Sequence, residues 1–241
     1  MMDNLEALQN AWPRLLDGIV ITLQLTLGGG ALAFAVAVTF GLMALHGSVW
    51  VRGAARTLIE FFRGTSLLVQ LFWLFYVLPL LGVTLEPAVT GILALGLNYG
   101  AYGAEVVRGS INAVPKGQWE VSTALSLRPV HRMRRIIWPQ AWAIMIPSLT
   151  NLLIMLLKGT AVANVILLHD LTYVTEQLRR ATGDTFFSYG VSMIIYFLIA
   201  CVLVLGANAI EARAKHKLGR GPSLREVLRL RPAPVAAKGV A

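Results

Sequence analysis

The chain has 241 residues, of which 56% are hydrophobic and 14% charged, and its mean hydropathy is +0.67. This composition excludes an ordinary soluble domain and places the chain in a membrane, where each helical crossing requires about 20 apolar residues. The formal net charge is +9, but the basic residues are sorted by side, so we expect no nucleic-acid partner.

The hydropathy pattern predicts an all-α integral membrane protein with five transmembrane helices. The apolar runs cover residues 18–45, 67–82, 88–102, 141–157 and 186–210. A further apolar stretch, residues 161–168, is too brief to cross alone. Residues 1–17 lack a basic leader, so we expect an uncleaved periplasmic segment before a membrane domain of residues 18–210.

Lysine and arginine mark one side of the predicted membrane. They are concentrated between the first and second runs, between the third and fourth, and in a basic tail of residues 211–241. Acidic residues predominate on the other side. The positive-inside rule then predicts an outer amino terminus and a cytoplasmic carboxyl terminus. Residues 224–231 are expected to rest on membrane lipid, with a disordered end after them.

The loop of residues 109–139 is too long to be a simple connector. Residues 117–126 suit a short amphipathic helix, and residues 130–138 carry a basic cluster after the interruption at Pro129. Such a short helix is too costly to form alone in water, so it requires a partner. Two interpretations stay open: the helix docks in a groove of a cytoplasmic protein, or its arginines meet anionic lipid headgroups.

Several motifs occur in a characteristic order along the chain. Glu120, Val121 and Ser122, then Ser126, Ile137 and Pro139, resemble the coupling loop of ABC importer permeases, whose pattern is Glu-Ala-Ala, three residues, Gly, then Ile-x-Leu-Pro. More narrowly, the chain resembles polar amino acid permeases of the histidine and glutamine type. The segments that carry this resemblance are residues 23–26, 62–72, 107–109, 115–118, 138–141, 146–147, 158–160 and 211–213.

The resemblance implies a bacterial inner-membrane subunit of a type I ABC importer for a polar amino acid or related small zwitterion. The implied partners are ABC ATPase subunits, a second permease subunit and a periplasmic or extracellular substrate-binding protein. It also implies an ATPase-coupling helix with these residues: Gly117, Trp119, Glu120, Val121, Ser122, Ala124, Leu125 and Ser126. The family's glycine is Ser126 here, where a left-handed turn would cost more.

Polar groups at membrane depth are candidates for the substrate pathway. Lys158 precedes a predicted helix break at Gly159, and its ammonium together with the Thr160 hydroxyl suits a carboxylate or zwitterion. The alternative is a lysine that snorkels to the outer interface. Asn98 and Tyr99 either line the route or form hydrogen bonds between helices. The family commonly has an acid where this chain has Gly159, which argues against a preference for cationic amino acids.

The sequence also argues against catalysis. A membrane-embedded enzyme would need acid, base, nucleophile or metal groups that converge at one depth, and no such set is evident. The chain lacks a Walker A loop, so energy must come from another polypeptide, and we expect no cofactor. A membrane scaffold without transport remains the alternative to a permease.

Overall fold

The structure is a computed structural model that describes residues 2–217, and within this range it is helical without β-strands. The α-helices are α1 Met2–Met43, α2 Val49–Gly64, α3 Leu67–Phe72, α4 Pro87–Asn112, α5 Lys116–Ala124, α6 Pro129–Arg132, α7 Trp138–Gly159, α8 Leu171–Thr182 and α9 Thr185–Lys217. The tail from residue 218, including the predicted lipid-binding stretch 224–231, lies outside the described residues.

Shorter helical segments extend three of these helices. A π-helix at Trp73–Val77 and a 3₁₀ turn at Leu78–Leu81 continue α3, a π-helix at Met133–Ile137 joins α6 to α7, and a 3₁₀ segment at Thr160–Ile166 follows α7. Most of the brief apolar stretch after the fourth predicted run, up to Ile166, is therefore helical and continues α7. Helix α8, between α7 and α9, was not predicted from the sequence.

Three helices in the described part of the chain have the length and hydropathy of membrane spans: residues 4–43, 129–166 and 185–214. Helices α2 and α3 qualify together as a fourth, although they are bent by 99°; we call this pair the bent span. Helix α4 has 26 residues, long enough to cross, but several glycines and Asn98 lower its hydropathy. Four of the five predicted crossings therefore meet the criterion when the bent span counts once.

Helices α1 and α4 run parallel with their backbones in close contact, because glycines line the α4 side. A Cβ atom added to these glycines would lie 2.5 to 2.8 Å from side chains of α1. The opposed pairs are Gly91 with Leu25, Gly96 with Leu32, Gly100 with Val36 and Gly103 with Ala37. Small residues permit this approach in membranes, where van der Waals packing drives helix association.

Helix α7 runs antiparallel to this pair, and α9 runs parallel to α1. Leu156 of α7 packs against Gly29, and Leu153 packs against Gly30. The residue numbers fall along α7 as they rise along α1, so the two helices run in opposite directions. On α9, Tyr196 lies near Thr22 and Thr160, while Ile210 lies near Phe34 and Ala37 further along α1. Helix α7 is therefore antiparallel to α1, α4 and α9, which share one direction.

Candidate coupling and translocation sites

Helix α5 occupies the place predicted for the coupling helix, in the loop between α4 and α7. Its inner side is held by Trp119, which packs against a core that includes Val107, Ile111 and Ile137. The Arg132 guanidinium lies 5.4 Å from the centre of the Trp119 ring, and Arg132 Nη1 donates to Thr123 Oγ1 at 3.0 Å. These contacts fix α5 to the helical segment that leads into α7.

The outer side of α5 carries apolar side chains that no described residue of this chain covers. Val121 is 60% exposed, Leu125 is 66% exposed, and Val130 on α6 is 68% exposed. We call these three residues the apolar ridge. The remaining predicted coupling residues divide between the two sides: Gly117, Glu120, Ala124 and Ser126 are exposed, whereas Trp119 is half-buried and Ser122 is buried.

Helix α5 ends in a left-handed turn at a residue that is not glycine. Ser126 has a φ of 52°. Leu127 N donates to Ser122 O at 3.1 Å and Ser126 N to Thr123 O at 2.8 Å, which is the Schellman pattern. The turn that the resemblance implies is therefore present, and Ser126 adopts the conformation that glycine takes freely.

Ser126→Gly is expected to stabilise the loop by about 0.5 to 1 kcal/mol, because it removes the left-handed strain that a Cβ atom causes. Protease cleavage of the loop, measured as a rate in detergent, should slow several-fold. Thr123→Gly in the interior of α5 serves as the control and should accelerate cleavage. Equal effects of the two glycines would show that the φ of Ser126 carries no strain.

The structure separates the predicted pathway residues Lys158 and Thr160. Lys158 is exposed, and no carboxylate of the described residues lies within ion-pair distance of it. Thr160 is fully buried, and its Oγ1 donates to Leu157 O at 2.7 Å. The Thr160 hydroxyl thus bonds within the chain, to Leu157 O and to Tyr196 of α9, while the exposed Lys158 ammonium can reach a solute or a membrane interface.

Asn98 and Tyr99 face different neighbours. Asn98 is buried, and its Nδ2 donates to Phe62 O at 3.0 Å. This is the hydrogen bond between helices that the sequence left as the alternative to a lining role. The Tyr99 ring covers Gly159, where an added Cβ would lie 2.6 Å from the Tyr99 hydroxyl. Gly159 is therefore required by the close approach of an aromatic ring.

Tyr99 also lines an apolar cleft of about 230 Å³ between α1, α4, α7 and α9. Phe34, Trp142 and Leu153 form part of its wall, and none of its lining residues is charged. Lys158, Thr160 and Asn98 are not among these lining residues. Only one of the four predicted pathway residues therefore borders this cleft, and their role in transport stays a prediction.

The break between α2 and α3 is polar and directly precedes the predicted second apolar run, residues 67–82. Here the structure puts Arg63 and Thr65 inside the bent span, against the middle of α4. Gln70 Nε2 donates to Phe62 O at 3.0 Å and to Thr65 Oγ1 at 2.7 Å. Tyr102 OH donates to Arg63 O at 3.2 Å. Side chains thus replace the helical donors that the break removes, as a hydrocarbon environment requires.

A buried carboxylate caps α8 where this helix meets α1. Asp170 is fully buried, and it accepts hydrogen bonds from Thr172 N at 3.3 Å and Tyr173 N at 3.1 Å, which cap α8. The next residue, Leu171, donates from its N atom to Thr22 Oγ1 at 3.2 Å. Burial raises the pKa of Asp170 to about 6, although its backbone hydrogen bonds favour the charged form.

This raised pKa predicts that stability falls as the pH rises through about 6. The folded state binds the Asp170 proton more tightly than the unfolded state, so its contribution is complete below the unfolded pKa and is lost above the folded one. Asp170→Asn keeps a capping oxygen without the charge, and its melting temperature should lose this pH dependence. Asp170→Ala, the control, should cost about 1 kcal/mol at every pH through loss of the cap. Parallel pH profiles for wild type and Asp170→Asn would contradict the assignment.

Comparison with known proteins connects this fold to a transport family. Residues 36–216 match the family described as binding-protein-dependent transport system inner membrane component. The chain is 44% identical over 201 residues to a probable amino-acid ABC transporter permease, y4tF of Sinorhizobium fredii strain NBRC 101917 / NGR234, covering 81% of this chain and 84% of that protein. It is 35% identical over 206 residues to the L-cystine transport system permease TcyB of Bacillus subtilis strain 168, covering 85% and 88%.

A solved structure of similar fold is the crystal structure of an amino acid ABC transporter with histidines. It superposes with a TM-score of 0.80 at 30% identity, covering 88% of this chain and 99% of that one. The MetNI methionine ABC transporter, at 17% identity and a TM-score of 0.72, shares the fold. The resemblance seen in the sequence motifs is thereby confirmed. The chain belongs to the family of inner membrane components of binding-protein-dependent transport systems, which are ABC transporter permeases and not enzymes.

Proposed function

We propose that the chain is a five-crossing permease subunit that imports a polar amino acid or a related small zwitterion, driven by ATP hydrolysis in partner ATPase subunits. The support for the substrate class comes from relatives described as amino-acid and L-cystine permeases, and from a structural neighbour described as an amino acid transporter. The absence of an acid at Gly159 favours solutes with uncharged side chains over cationic ones.

The helix directions support five crossings. Because α1 and α4 are parallel, the chain must return once across the membrane between them, and the bent span is the segment available for this. Helix α7 then crosses back and α9 crosses again, so the two termini lie on opposite sides. The basic loops on the side of α5 favour a cytoplasmic location for that side and an outer location for the amino terminus.

The observation that carries the coupling assignment is the apolar ridge. Val121 and Leu125 at α5 and Val130 on α6 are exposed, while the other side of α5 is fixed to the membrane domain through Trp119. Exposed apolar residues on a docked cytoplasmic helix suit insertion into a groove of another protein. That partner is the ATPase subunit, and Glu120 lies exposed beside the ridge to contact it.

The assembly also contains a second permease subunit, identical or a sister chain, with membrane lipid around the pair. A substrate-binding protein delivers the solute to the outer face, where α8 packs against the start of α1. Binding to the ATPase moves α5, and the fixed contact at Trp119 transmits this movement to α7.

Reconstituted uptake tests the function. The chain, its ATPase and its substrate-binding protein are placed in liposomes and supplied with uncharged, acidic and cationic radiolabelled L-amino acids. We expect ATP-dependent uptake of an uncharged polar amino acid and not of arginine or lysine. A complex that hydrolyses ATP but imports no amino acid would overturn the substrate class.

A further inference from the structure

The apolar cleft lies in one half of the bilayer. Its wall on α1 runs from Gly30 to Ala37. Gly30 is close to the centre of the apolar run 18–45, and Ala37 is about 8 Å from that centre along the helix axis, toward the side of α5. The hydrocarbon layer extends about 15 Å from its centre. The cleft therefore covers the depth of acyl chains in the leaflet on the side of α5.

The wall of the cleft suits hydrocarbon better than a polar solute. Apart from the indole of Trp142, its polar side chains are Tyr99 and Thr150. Thr150 Oγ1 donates to Ile146 O at 2.9 Å within its own helix, and the Tyr99 ring lies over Gly159. An apolar cavity of about 150 Å³ stays dry and binds hydrocarbon, and this cleft has about 230 Å³. An aliphatic chain is the ligand that these walls fit.

The cleft opens between α1 and α9. Phe34 of α1 and Ile210 of α9 belong to its wall, yet they are 41% and 52% exposed. A second crevice of about 230 Å³ lies along the same boundary nearer the outer end, and we call it the outer crevice. It is lined by Leu23 of α1 and by Leu198, Ile199, Val202 and Leu203 of α9. Space for an aliphatic chain thus exists at two depths between these helices.

Arginines flank the inner mouth of the cleft. On α9, Arg213 is exposed and lies one turn beyond Ile210, which lines the cleft. Arg134 and Arg135 are exposed in the segment that leads into α7. None of these three arginines forms an ion pair with a described residue. The one acidic residue near them in the sequence is Glu211, so the mouth carries a net positive charge.

The depth of Arg213 matches that of lipid phosphates. Ile210 lies near Ala37, and Arg213 is about 4.5 Å further along α9, or roughly 13 Å from the bilayer centre. This is the edge of the hydrocarbon layer, where a long basic side chain extends to the headgroups. The outer crevice has no such neighbour, because residues 18–29 and 190–205 contain no lysine or arginine.

We infer that the cleft binds one acyl chain of an anionic phospholipid from the inner leaflet, whose phosphate is held by Arg134, Arg135 and Arg213. Apolar walls alone accept a chain from any lipid, whereas a basic mouth selects an anionic headgroup. The word inner rests on the orientation given with the proposed function; the solute and the ATPase do not enter the argument. The bound chain fills space that α1, α7 and α9 leave between them.

Quenching of Trp142 by brominated lipid tests the site. The complex of permease and ATPase is reconstituted in phosphatidylcholine vesicles that contain a rising fraction of phosphatidylglycerol with dibrominated acyl chains. Bromine quenches indole fluorescence on contact. Trp142 is one of six tryptophans, so its signal is the difference between wild type and Trp142→Phe. A parallel series with brominated phosphatidylcholine measures contact with lipid that is not selected by its headgroup.

We expect half-quenching of Trp142 at an about tenfold lower fraction of phosphatidylglycerol than of phosphatidylcholine. Arg213→Gln should reduce this preference about fivefold, the factor that one basic residue near a lipid surface contributes. Ala207→Phe places a ring in the cleft and should abolish quenching of Trp142. Gly206→Phe on the same helix is the matched control, because an added Cβ there meets no atom within 4 Å, and it should leave quenching unchanged.

Three results would overturn the proposal. Equal quenching by the two lipids would mean that the cleft takes lipid without selecting the headgroup. No quenching by either lipid would mean that protein fills the cleft, either a second permease subunit or the tail of this chain. An unchanged preference in Arg213→Gln combined with Arg135→Gln would remove the arginines from the site. These exposed substitutions decide the question even where Ala207→Phe fails to assemble.

Uptake separates this inference from the proposed function. ATP-dependent import of amino acids is measured in vesicles of the same composition without bromine. Selective quenching without amino acid uptake would reject the proposed function and leave the lipid site standing. Normal uptake with equal quenching by both lipids would reject the lipid site alone.

Discussion

Replacing Val121 and Leu125 together with serine is expected to abolish ATP-driven uptake while the membrane helices remain folded. These side chains are 60% and 66% exposed in the isolated chain, so this chain loses little by their truncation. In an ATPase groove, each buried side chain would contribute about 1.5 to 3 kcal/mol. Loss of both should weaken ATPase binding by about a hundredfold or more.

The measurement is the amount of ATPase subunit that co-purifies with the tagged permease, followed by uptake in liposomes. Lys116→Ser changes an exposed residue on another face of α5 and serves as the control. The control should retain the ATPase and full uptake. Retention of ATPase by the double variant, with normal transport, would exclude the apolar ridge as the docking surface.

Gly100→Leu is expected to prevent accumulation of folded protein. A Cβ at Gly100 would lie 2.7 Å from Val36 Cβ and 3.0 Å from Ala33 O, a backbone atom that cannot yield without moving α1. Overpacking of this kind costs about 1 to 3 kcal/mol or more, and a leucine adds three further carbons to the clash. A protein of ordinary marginal stability has little reserve against this cost.

Gly109→Leu is the matched control, because Gly109 belongs to the same helix and has no atom within 4 Å of an added Cβ. It should fold normally, with a melting temperature unchanged or raised by the better helix former. Size-exclusion profiles after detergent extraction, together with melting curves, distinguish the two variants. A monodisperse Gly100→Leu protein with a normal melting temperature would contradict the close contact of α1 and α4.

The sequence predicted the long helices well because hydropathy over about 20 residues depends little on tertiary context. It did not predict the 99° bend between α2 and α3. No proline marks this break, and the groups that stabilise it, Asn98 and Tyr102, come from a distant part of the chain. Helix α8 was missed although its capping residue, Asp170, precedes an amphipathic stretch and offered a local signal.

The candidate sites were likewise predictable from the sequence only in part. The position of α5 followed from its local amphipathic pattern, whereas the left-handed turn at Ser126 was implied only by the family resemblance, because serine does not favour this conformation. The substrate pathway did not follow, since a polar residue in an apolar run has the same appearance whether it faces a cavity or another helix. Thr160 illustrates this, because its hydroxyl bonds to Leu157 O. The role of Gln70 could have been suspected from the sequence, because Gln70 is a lone amide side chain in the apolar run 67–82.

The glycine contacts between α1 and α4 have a mechanical consequence. Two helices packed this closely over about three turns cannot slide or rotate against each other without clashes at the glycines. We therefore expect α1 and α4 to travel as one rigid rod during the transport cycle. The shape change between outward-open and inward-open states must then be absorbed elsewhere, at the joint between α2 and α3 and along the looser boundary with α9.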